Sequence, residues 1–295
     1  MDDRTPNRPP PASRLAAFYE LTKPGITAYV MITAGVSAYV ASRGTVDLMT
    51  VFHAVFGTGL STGGALALNQ YMERAPDAVM LRTRQRPLPS GRLTPGQAVA
   101  FGALMLAAGL GHLAYRSGPW PAAVALVSAI MYMGVYTPLK SRSYVATLVG
   151  AVPGALPVLI GWTAARGSLE LTALWLFAIA YLWQLPHVLG LAWMLREDYA
   201  RVGFRLVPAG GGAVVGRHMV VATALLVPTS IAPTLSGYTG VWYAAGAVLA
   251  SLAFAGVALR TARAMTDDSA RRLFLSSLLY HPVLLGLMLL DTVRV

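Results

Sequence analysis

Long apolar runs alternate with short polar links along the chain, from about residue 25 to its end. Nine of these runs are long enough to cross a hydrocarbon core of about 30 Å as helices. They lie at roughly 25–42, 49–68, 97–115, 119–138, 144–165, 171–194, 216–235, 240–259 and 272–290. The pattern predicts an all-α, polytopic membrane protein with nine transmembrane helices.

The links between these runs differ in charge in an alternating way. Because each span crosses the membrane, every second link belongs to the same side. One side holds only four of the 23 basic residues: Arg43, Arg116, Arg166 and Arg294. The other 19 lie on the opposite side, which includes the N-terminal tail. Because Lys and Arg are retained on the cytoplasmic side, we expect a cytoplasmic N-terminus and an outside C-terminus, in the inner (cell) membrane.

The chain ends and the longer links suggest how the domain is organised. Residues 1–24 are polar and rich in proline, lack the apolar core of a signal peptide, and are predicted to form a disordered cytoplasmic tail. A single transmembrane domain follows at 25–295. Its long polar links, 69–96 and 196–215, come after the second and sixth runs, which suggests two four-helix halves plus a ninth helix.

Composition narrows the class of protein further. The chain is 56% hydrophobic and 12% charged, with a mean hydropathy of +0.57. Its net charge of +11 is typical of a basic face near anionic membrane lipid, and nucleic acid is not an expected partner. Cysteine is absent, which excludes disulfides, thiolate metal sites and cysteine nucleophiles. No P-loop, serine-hydrolase or zinc-protease motif occurs.

One polar segment follows the second apolar run and carries the strongest chemical signal. Asn69, Glu73 and Asp77 recur every four residues, so they share one face if the helix continues. Two carboxylates and an amide suit Mg²⁺, which prefers oxygen ligands and leaves positions open for phosphate. Four arginines follow, at Arg74, Arg82, Arg84 and Arg86. Acids and arginines together indicate a metal-bound diphosphate at the membrane surface.

A second acidic pair follows the sixth run. Glu197 and Asp198 lie just beyond the end of that run and are predicted to add metal ligands opposite the first cluster. Ordinary solvated loops are the alternative interpretation of both acidic clusters.

The histidines need separate interpretations. His187 lies inside the sixth run, directly after Pro186 and eleven residues before Asp198, which favours a functional role over packing. His53 and His112 are interpreted as structural. For His281, which also precedes a proline, both interpretations stay open.

With these residues the chain resembles UbiA-type membrane prenyltransferases, and within them the branch that farnesylates haem. The resemblance covers nearly the whole chain after the tail, beginning at LTKPGI. Asn69, Glu73 and Asp77 match the first spaced motif, with Glu where Asp is usual. The continuation MLRTRQRP and the pair Pro186-His187 followed by Glu197-Asp198-Tyr199 are more specific to the haem branch. The second spaced-aspartate motif is degenerate here, which favours haem over a quinone-type acceptor.

The resemblance implies a fold of nine transmembrane helices around a central cavity. It also implies a Mg-dependent transfer of farnesyl from farnesyl diphosphate to a vinyl group of haem B, with addition of water and loss of diphosphate. Haem A synthase or haem-copper oxidase assembly factors are implied as partners. Arg82 and Arg86 are expected to bind the diphosphate, and Lys140 and Arg142 either the diphosphate or the haem propionates. His187 is expected to face the haem, as an iron ligand or as a base for hydration.

Two other functions remain open on the sequence. One is a related prenyltransferase that acts on a quinone precursor or a chlorin. The other is a haem or lipid transporter with a basic gate, which would need no divalent cation and would leave the farnesyl donor unchanged.

Overall fold

The computed structural model describes residues 13–45 and 47–294, and its regular secondary structure within these ranges is helical. The described residues contain nine helices that are long and apolar enough to cross a membrane. These are α2 (Pro24–Ala41), α3 (Leu48–Met72), α5 (Pro95–Arg116), α6 to α7 (Pro119–Leu139), α8 (Val145–Arg166), α9 (Leu171–Met194), α11 to α12 (Gly211–Leu235), α13 (Val241–Arg263) and α14 (Asp267–Leu290). The predicted all-α membrane fold is confirmed.

Capping residues explain where the observed helices begin. The carboxylate of Asp47 accepts from the amides of Met49 and Thr50 at the start of α3. Thr94 and Gln97 form a reciprocal capping box at the start of α5. A similar capping box at Thr266 starts α14 at Asp267, five residues before the predicted 272. The box stabilises the first turns of the helix although they contain charged residues.

The region before the first span differs in part from its predicted disorder. Residues 14–21 form the helix α1 (Arg14–Leu21), whose first turn is capped by the Ser13 hydroxyl. Ala17 and Leu21 of this helix are fully buried, so the apolar side chains in LAAFYEL stabilise it by packing. The first part of the predicted tail, 1–12, lies outside the described residues.

Glycines allow the spans to pack closely. A Cβ added at Gly161 in α8 would lie 1.9 Å from the carbonyl oxygen of Ala34 in α2. One added at Gly64 in α3 would lie 2.4 Å from the amide nitrogen of Leu106 in α5. The small-residue runs therefore serve helix contact, which is how membrane helices associate without a hydrophobic drive between them.

Two spans end in the same way, each with a break followed by a short helix. After α3 the chain turns at Glu73 and continues as α4 (Arg74–Val79). After α9 it turns at Leu195 and continues as α10 (Arg196–Arg201). These spans are the second and the sixth, so the repetition supports the division into two four-helix halves, which stays a prediction.

The fourth span is not a uniform helix. Between α6 (Pro119–Ile130) and α7 (Thr137–Leu139) it widens into a π-helical segment, Met131–Tyr136. Such segments occur often at functional sites, because they re-aim side chains within a helix. Here the widened turn points Tyr132 and Tyr136 into a cavity between the spans.

Candidate active site: an ion-pair cluster above an aromatic cavity

Asn69, Glu73 and Asp77 lie on one face at the end of the second span, as the sequence predicted. The backbone amide of Glu73 donates to the backbone carbonyl of Asn69 at 2.9 Å, and the backbone amide of Asp77 donates to the backbone carbonyl of Glu73 at 2.8 Å. Helical hydrogen bonding therefore continues through the break at Glu73 and keeps the four-residue spacing in register. All three side chains belong to buried residues.

Each of the two carboxylates pairs with a cation from elsewhere in the chain. The Nζ of Lys140 lies 2.6 Å from Oε1 of Glu73. The NH1 of Arg86 lies 2.8 and 2.7 Å from the two carboxylate oxygens of Asp77. Charges buried at a membrane boundary are tolerated when they are paired in this way. We refer to Glu73, Asp77, Arg86 and Lys140 as the ion-pair cluster.

The Glu73–Lys140 pair holds both of its members in their charged forms. Burial by itself would raise the pKa of Glu73, but the charge of Lys140 and its hydrogen bond outweigh burial and hold that pKa below the usual range. Burial would lower the pKa of Lys140, whereas Tyr136 and Glu73 raise it, and the net effect is a pKa above the usual range. Both groups are therefore ionised at neutral pH.

The π-helical segment positions the third member of the motif. The hydroxyl of Tyr132 donates to Oδ1 of Asn69 at 3.2 Å, and Nδ2 of Asn69 donates to Oγ1 of Thr137 at 2.9 Å. These bonds fix the amide so that its oxygen faces Tyr132. The ammonium of Lys140 lies 4.4 Å from the ring centre of Tyr136, a cation–π contact that orients it further.

Lys23 is a residue of the site to which the sequence analysis gave no role. Its backbone is left-handed (φ 47°), an unusual conformation for a residue that precedes a proline. Burial of the ammonium group and the nearby charge of Arg86 lower its pKa to about 7, whereas Glu73 acts in the opposite direction. The charges of Arg86 and Glu73 therefore act on the Lys23 ammonium group. The only sequence signal was the Lys-Pro-Gly step before the first span.

Two predicted diphosphate ligands make no side-chain bond to the cluster in the described part of the chain. Arg82 is exposed, and among the described residues its only hydrogen bond is made by its backbone amide. Arg142 is also exposed and lines a second pocket together with Arg196 and Arg205. The structure thus brings Arg86 and Lys140 to the acids, and leaves Arg82 and Arg142 at the surface.

Glu197 and Asp198 do not complete a metal site with the first cluster. No group of three or more His, Cys, Asp or Glu side chains in the described ranges is arranged to hold an ion. Asp198 instead accepts hydrogen bonds from the backbone amides of Leu81 and Arg82, at 3.0 and 3.4 Å, and the Glu197 side chain is 84% exposed. The set of five ligands therefore stays a prediction, and in the described structure the amides that follow α4 bind the Asp198 carboxylate.

Asn69, Glu73 and Asp77 nevertheless fit a divalent cation that is shared with a diphosphate. Their carboxylate and amide oxygens are the hard donors that Mg²⁺ prefers, and three ligands leave positions for phosphate oxygens. Lys140 and Arg86 already neutralise the carboxylates here, so the two carboxylates bind positive charge at this site. On arrival of a metal-bound diphosphate, the two cations could turn from the carboxylates to the phosphates.

A cavity of about 620 Å³ opens beside the cluster, within the size range of small-molecule sites. Its walls are mostly apolar and come from α2, α3, α6, α8, α9 and α14. The polar or aromatic groups that line it include Tyr29, Tyr132, Trp183, Gln184 and His187. Since Tyr132 also bonds Asn69, the cavity and the cluster form one continuous site.

The orientation of His187 in this wall is well defined. The Ser277 hydroxyl donates to the carbonyl of Phe274 at 2.5 Å, so it can accept from Nδ1 of His187, 2.8 Å away. This arrangement places the proton on Nδ1 and leaves the lone pair of Nε2 for a ligand. The ring also stacks on Phe274 and Trp183, with centroids 4.7 and 5.4 Å apart. Sequence reasoning found His187 but could not find its partner Ser277.

The other histidines divide between structural and unassigned roles. His53 and His112 bond each other, 3.2 Å between Nδ1 and Nε2, at the opposite end of their spans from the ion-pair cluster. Arg116 donates to His53 in the same group, which supports their structural interpretation. His281 is buried and its Nδ1 is hydrogen-bonded to the hydroxyl of Tyr29, a wall residue of the cavity.

A helical membrane protein with paired acids and cations beside an apolar cavity belongs to the class that handles a charged lipid precursor within the bilayer. A sequence profile described as the UbiA prenyltransferase family matches residues 30–280. The chain therefore belongs to the UbiA prenyltransferase family.

Individual relatives agree along nearly the full length. The "Protoheme IX farnesyltransferase" of Solibacter usitatus is 40% identical over 93% of this chain and 98% of its own. The protein of the same name from Myxococcus xanthus is 39% identical over 99% of both chains.

Solved structures share the fold at much lower identity. A digeranylgeranylglyceryl phosphate synthase structure superposes with a TM-score of 0.80 at 16% identity, covering 94% of this chain and 98% of that one. A UbiA homologue from Archaeoglobus fulgidus, solved bound to GPP and Mg²⁺, gives a TM-score of 0.66 at 14% identity, with 92% and 99% covered. These likenesses establish the fold of nine spans around a cavity.

Proposed function

We propose that this enzyme transfers a farnesyl group from farnesyl diphosphate to a vinyl group of haem B, adds water in the same conversion and releases diphosphate. The observation that carries this function is the joining of the ion-pair cluster to an aromatic cavity in which His187 presents Nε2. The cluster suits an allylic diphosphate, and the wide cavity with an imidazole in its wall suits an iron porphyrin. The names of the full-length relatives agree with this assignment.

The departure of diphosphate is the step that the cluster assists. As the C–O bond of the allylic donor breaks, negative charge grows on the diphosphate and positive charge on the prenyl carbon. Arg86, Lys140 and Lys23 lie where they can bind the growing negative charge, and arginine can do so with two parallel hydrogen bonds. The apolar cavity excludes water from the prenyl cation until the vinyl group attacks.

Mg²⁺ would be held by Asn69, Glu73 and Asp77, whose oxygens it would share with the diphosphate. Bound there, Mg²⁺ supplies charge that neutralises the leaving group before the bond is broken. A metal role for Glu197 and Asp198 is not part of this proposal, since Asp198 binds the backbone of the neighbouring loop.

His187 is proposed to face the haem. Two chemical roles use the lone pair of Nε2: an axial bond to the haem iron, or proton acceptance during hydration. Arg142, which lines the second pocket, is available to bind a haem propionate. Lys140 is held by its bond to Glu73 at the place where the diphosphate would bind.

The protein is an integral, multi-pass membrane protein. We propose that it lies in the inner membrane with the ion-pair cluster, the N-terminus and the short helices α4 and α10 on the cytoplasmic side. The charge asymmetry of the links supports this orientation. Delivery of the product to haem A synthase or to haem-copper oxidase assembly follows from the same proposal.

One assay tests the function directly. The purified protein is incubated with farnesyl diphosphate, Mg²⁺ and haem B, and the porphyrins are analysed by mass spectrometry. We expect a product heavier than haem B by one farnesyl group and one hydroxyl group, formed only when all three are present. Unchanged farnesyl diphosphate would contradict a transferase, and activity with a quinone precursor but not with haem would assign another acceptor.

A further inference from the structure

Two polar side chains from distant parts of the chain meet at the cavity wall. Neither has a role in the reaction steps proposed above. Tyr29, in the first span, lines the cavity. Its hydroxyl is hydrogen-bonded to Nδ1 of His281, in the ninth span and 252 residues away. His281 is only 2% exposed, so Tyr29 separates it from the cavity. We call this pair the Tyr29–His281 dyad.

Packing alone is a poor explanation for the dyad. An imidazole in the middle of a membrane helix costs free energy that an apolar ring of similar size would not, and intramembrane ionisable groups commonly serve function. The ring is held in place on a second side, since it stacks on Trp183 with centroids 4.3 Å apart and planes 16° apart. The dyad is thus built to keep one orientation.

The dyad lies next to the proposed haem-facing histidine. Trp183 contacts both groups, with its ring 5.4 Å from that of His187 and 5.7 Å from that of Tyr29. The same indole donates to the carbonyl of Ser277, whose hydroxyl orients His187. A porphyrin whose iron meets His187 would therefore have its edge in the part of the cavity that Tyr29 lines.

Farnesylation of a vinyl group followed by hydration requires a proton acceptor in that region. When the terminal vinyl carbon bonds to the farnesyl carbon, a carbocation forms on the inner vinyl carbon beside the macrocycle. Water must form a C–O bond to that carbon and then lose a proton. Without a nearby acceptor, the cation would instead lose a proton from the adjacent new CH₂ group and become an alkene.

We propose that the Tyr29–His281 dyad accepts the proton of the water that hydrates this cation. As the water oxygen bonds to the carbon, one of its protons moves to Oη of Tyr29, while the phenolic proton moves to Nδ1 of His281. The products are a neutral alcohol, a neutral tyrosine and an imidazolium, so that atoms and charge balance. Tyr29 is the catalytic residue and His281 the positioning residue behind it. This inference rests on the proposed function and assigns its hydration step.

This assignment leaves His187 for the iron. The hydrogen bond of its Nδ1 to Ser277 is the arrangement usual for a metal-binding imidazole, whose second nitrogen is held by a protein group. The dyad by contrast offers a hydroxyl to the cavity, which can give and take a proton at once and can hold a water by a hydrogen bond.

The test compares the products formed by full-length Tyr29→Phe and His281→Gln variants with those of the unaltered protein. Each is incubated with farnesyl diphosphate, Mg²⁺ and haem B, and the hydroxylated product and the alkene, which differ by one water, are quantified by mass spectrometry. Tyr280→Phe is the matched control. It removes a buried hydroxyl from the same helix, one that bonds Ser251 at 2.9 Å and does not line the cavity.

We expect both dyad variants to release diphosphate and to form the new C–C bond, with a fall of about a hundredfold in the ratio of hydroxylated product to alkene. The control should keep the original ratio. Because the ratio is measured on molecules that have reacted, a smaller folded fraction does not change it.

Other results would overturn the inference in distinguishable ways. An unchanged ratio in Tyr29→Phe would remove the dyad from hydration while the proposed function stands. A variant that no longer binds haem or forms the C–C bond would assign Tyr29 to acceptor positioning instead. Alkene formation in His187→Ala but not in Tyr29→Phe would make His187 the base. Failure of the unaltered protein to farnesylate haem would refute the proposed function itself.

Discussion

At the scale of single residues, the site depends on which cation meets which carboxylate. Asp77 holds Arg86 and Glu73 holds Lys140, so each predicted metal ligand is also the anchor of a cation. A substitution in either member of a pair therefore changes both the metal site and the position of its partner. Predictions for these residues need conservative changes and matched controls.

Asp77→Asn removes one charge and keeps the shape of the side chain. We expect turnover to fall by roughly a hundredfold or more, because a charged metal ligand at the leaving group is worth several kcal/mol in the transition state. Single-turnover kinetics with farnesyl diphosphate at increasing Mg²⁺, together with a melting curve, would measure this. Near-normal turnover at saturating Mg²⁺ would exclude Asp77 as a ligand.

Arg86→Lys keeps the charge but loses the planar group that bonds both oxygens of Asp77. We expect kcat/KM for farnesyl diphosphate to fall by roughly tenfold or more, because the other nitrogens of the guanidinium could bind a phosphate while NH1 holds Asp77, and lysine has a single nitrogen for both. Arg82→Lys, at an exposed position on the same loop, tests whether that side chain reaches the diphosphate as predicted.

Arg84→Lys is the control for both changes, since Arg84 is exposed and belongs to the same loop. Arg92 is not a neutral control, because it pairs with Glu20 at 2.7 Å and bonds the carbonyl of Gln85. Equal losses in the Arg82, Arg84 and Arg86 variants would indicate a general electrostatic effect and not a specific clamp.

His187→Ala separates three roles by three measurements. An iron ligand predicts weaker haem binding and an altered visible spectrum. A base predicts normal haem binding with a product that lacks the added water. Packing predicts a lower melting temperature with normal chemistry in the folded fraction. We expect the spectral change, because the bond to Ser277 directs the Nε2 lone pair towards a ligand.

At the scale of elements, Asp198 joins two links of the chain on the side of the cluster. Its carboxylate bonds the amides of Leu81 and Arg82, so the link after the sixth span holds the link after the second. A carboxylate that accepts from two backbone amides orders a loop strongly. The loop that carries Arg86 is thereby kept over the site.

Replacing Asp198 distinguishes this role from metal binding. Asn can still accept one of the two amide bonds, whereas Ala can accept none, so we expect Asp198→Asn to keep most activity and Asp198→Ala to raise the KM for farnesyl diphosphate. Faster proteolysis of the 80–94 loop in the alanine variant would support the loop contact. Equal losses in both variants, rescued by excess Mg²⁺, would restore the metal role.

At the scale of the whole molecule, the ion-pair cluster lies at one end of the bundle. The opposite end is held by contacts between links, such as the bond of Tyr238 to Glu170 and the stacking of Arg43 over the Tyr238 ring. A one-ended opening is consistent with a donor and an acceptor that enter from the membrane or from the basic side.

The absence of cysteine makes the orientation easy to measure. Thr45→Cys and Gln85→Cys place single thiols at exposed positions in the first and second links. In intact cells, a maleimide that does not cross membranes should label Thr45→Cys, and it should label Gln85→Cys only after lysis. The reverse pattern would place the ion-pair cluster outside and invert the proposed topology.

The sequence by itself determined the spans and the first motif, for a local reason. Hydropathy and length decide whether a segment can cross a bilayer, and a four-residue spacing decides which side chains share a helix face. The nine spans and the common face of Asn69, Glu73 and Asp77 depend on nothing farther along the chain, and both were confirmed.

Only the tertiary structure decided how distant residues combine. Lys140 meets Glu73 across 67 residues, Asp198 meets Leu81 across 117, and Tyr29 meets His281 across 252. Periodicity says nothing about such pairs, because they depend on which helices are neighbours and how far each is rotated. The same limit explains why the sequence did not show the contact of Asp198 with Leu81 or a role for Lys23: charge is visible in a sequence, but its partner is set by packing.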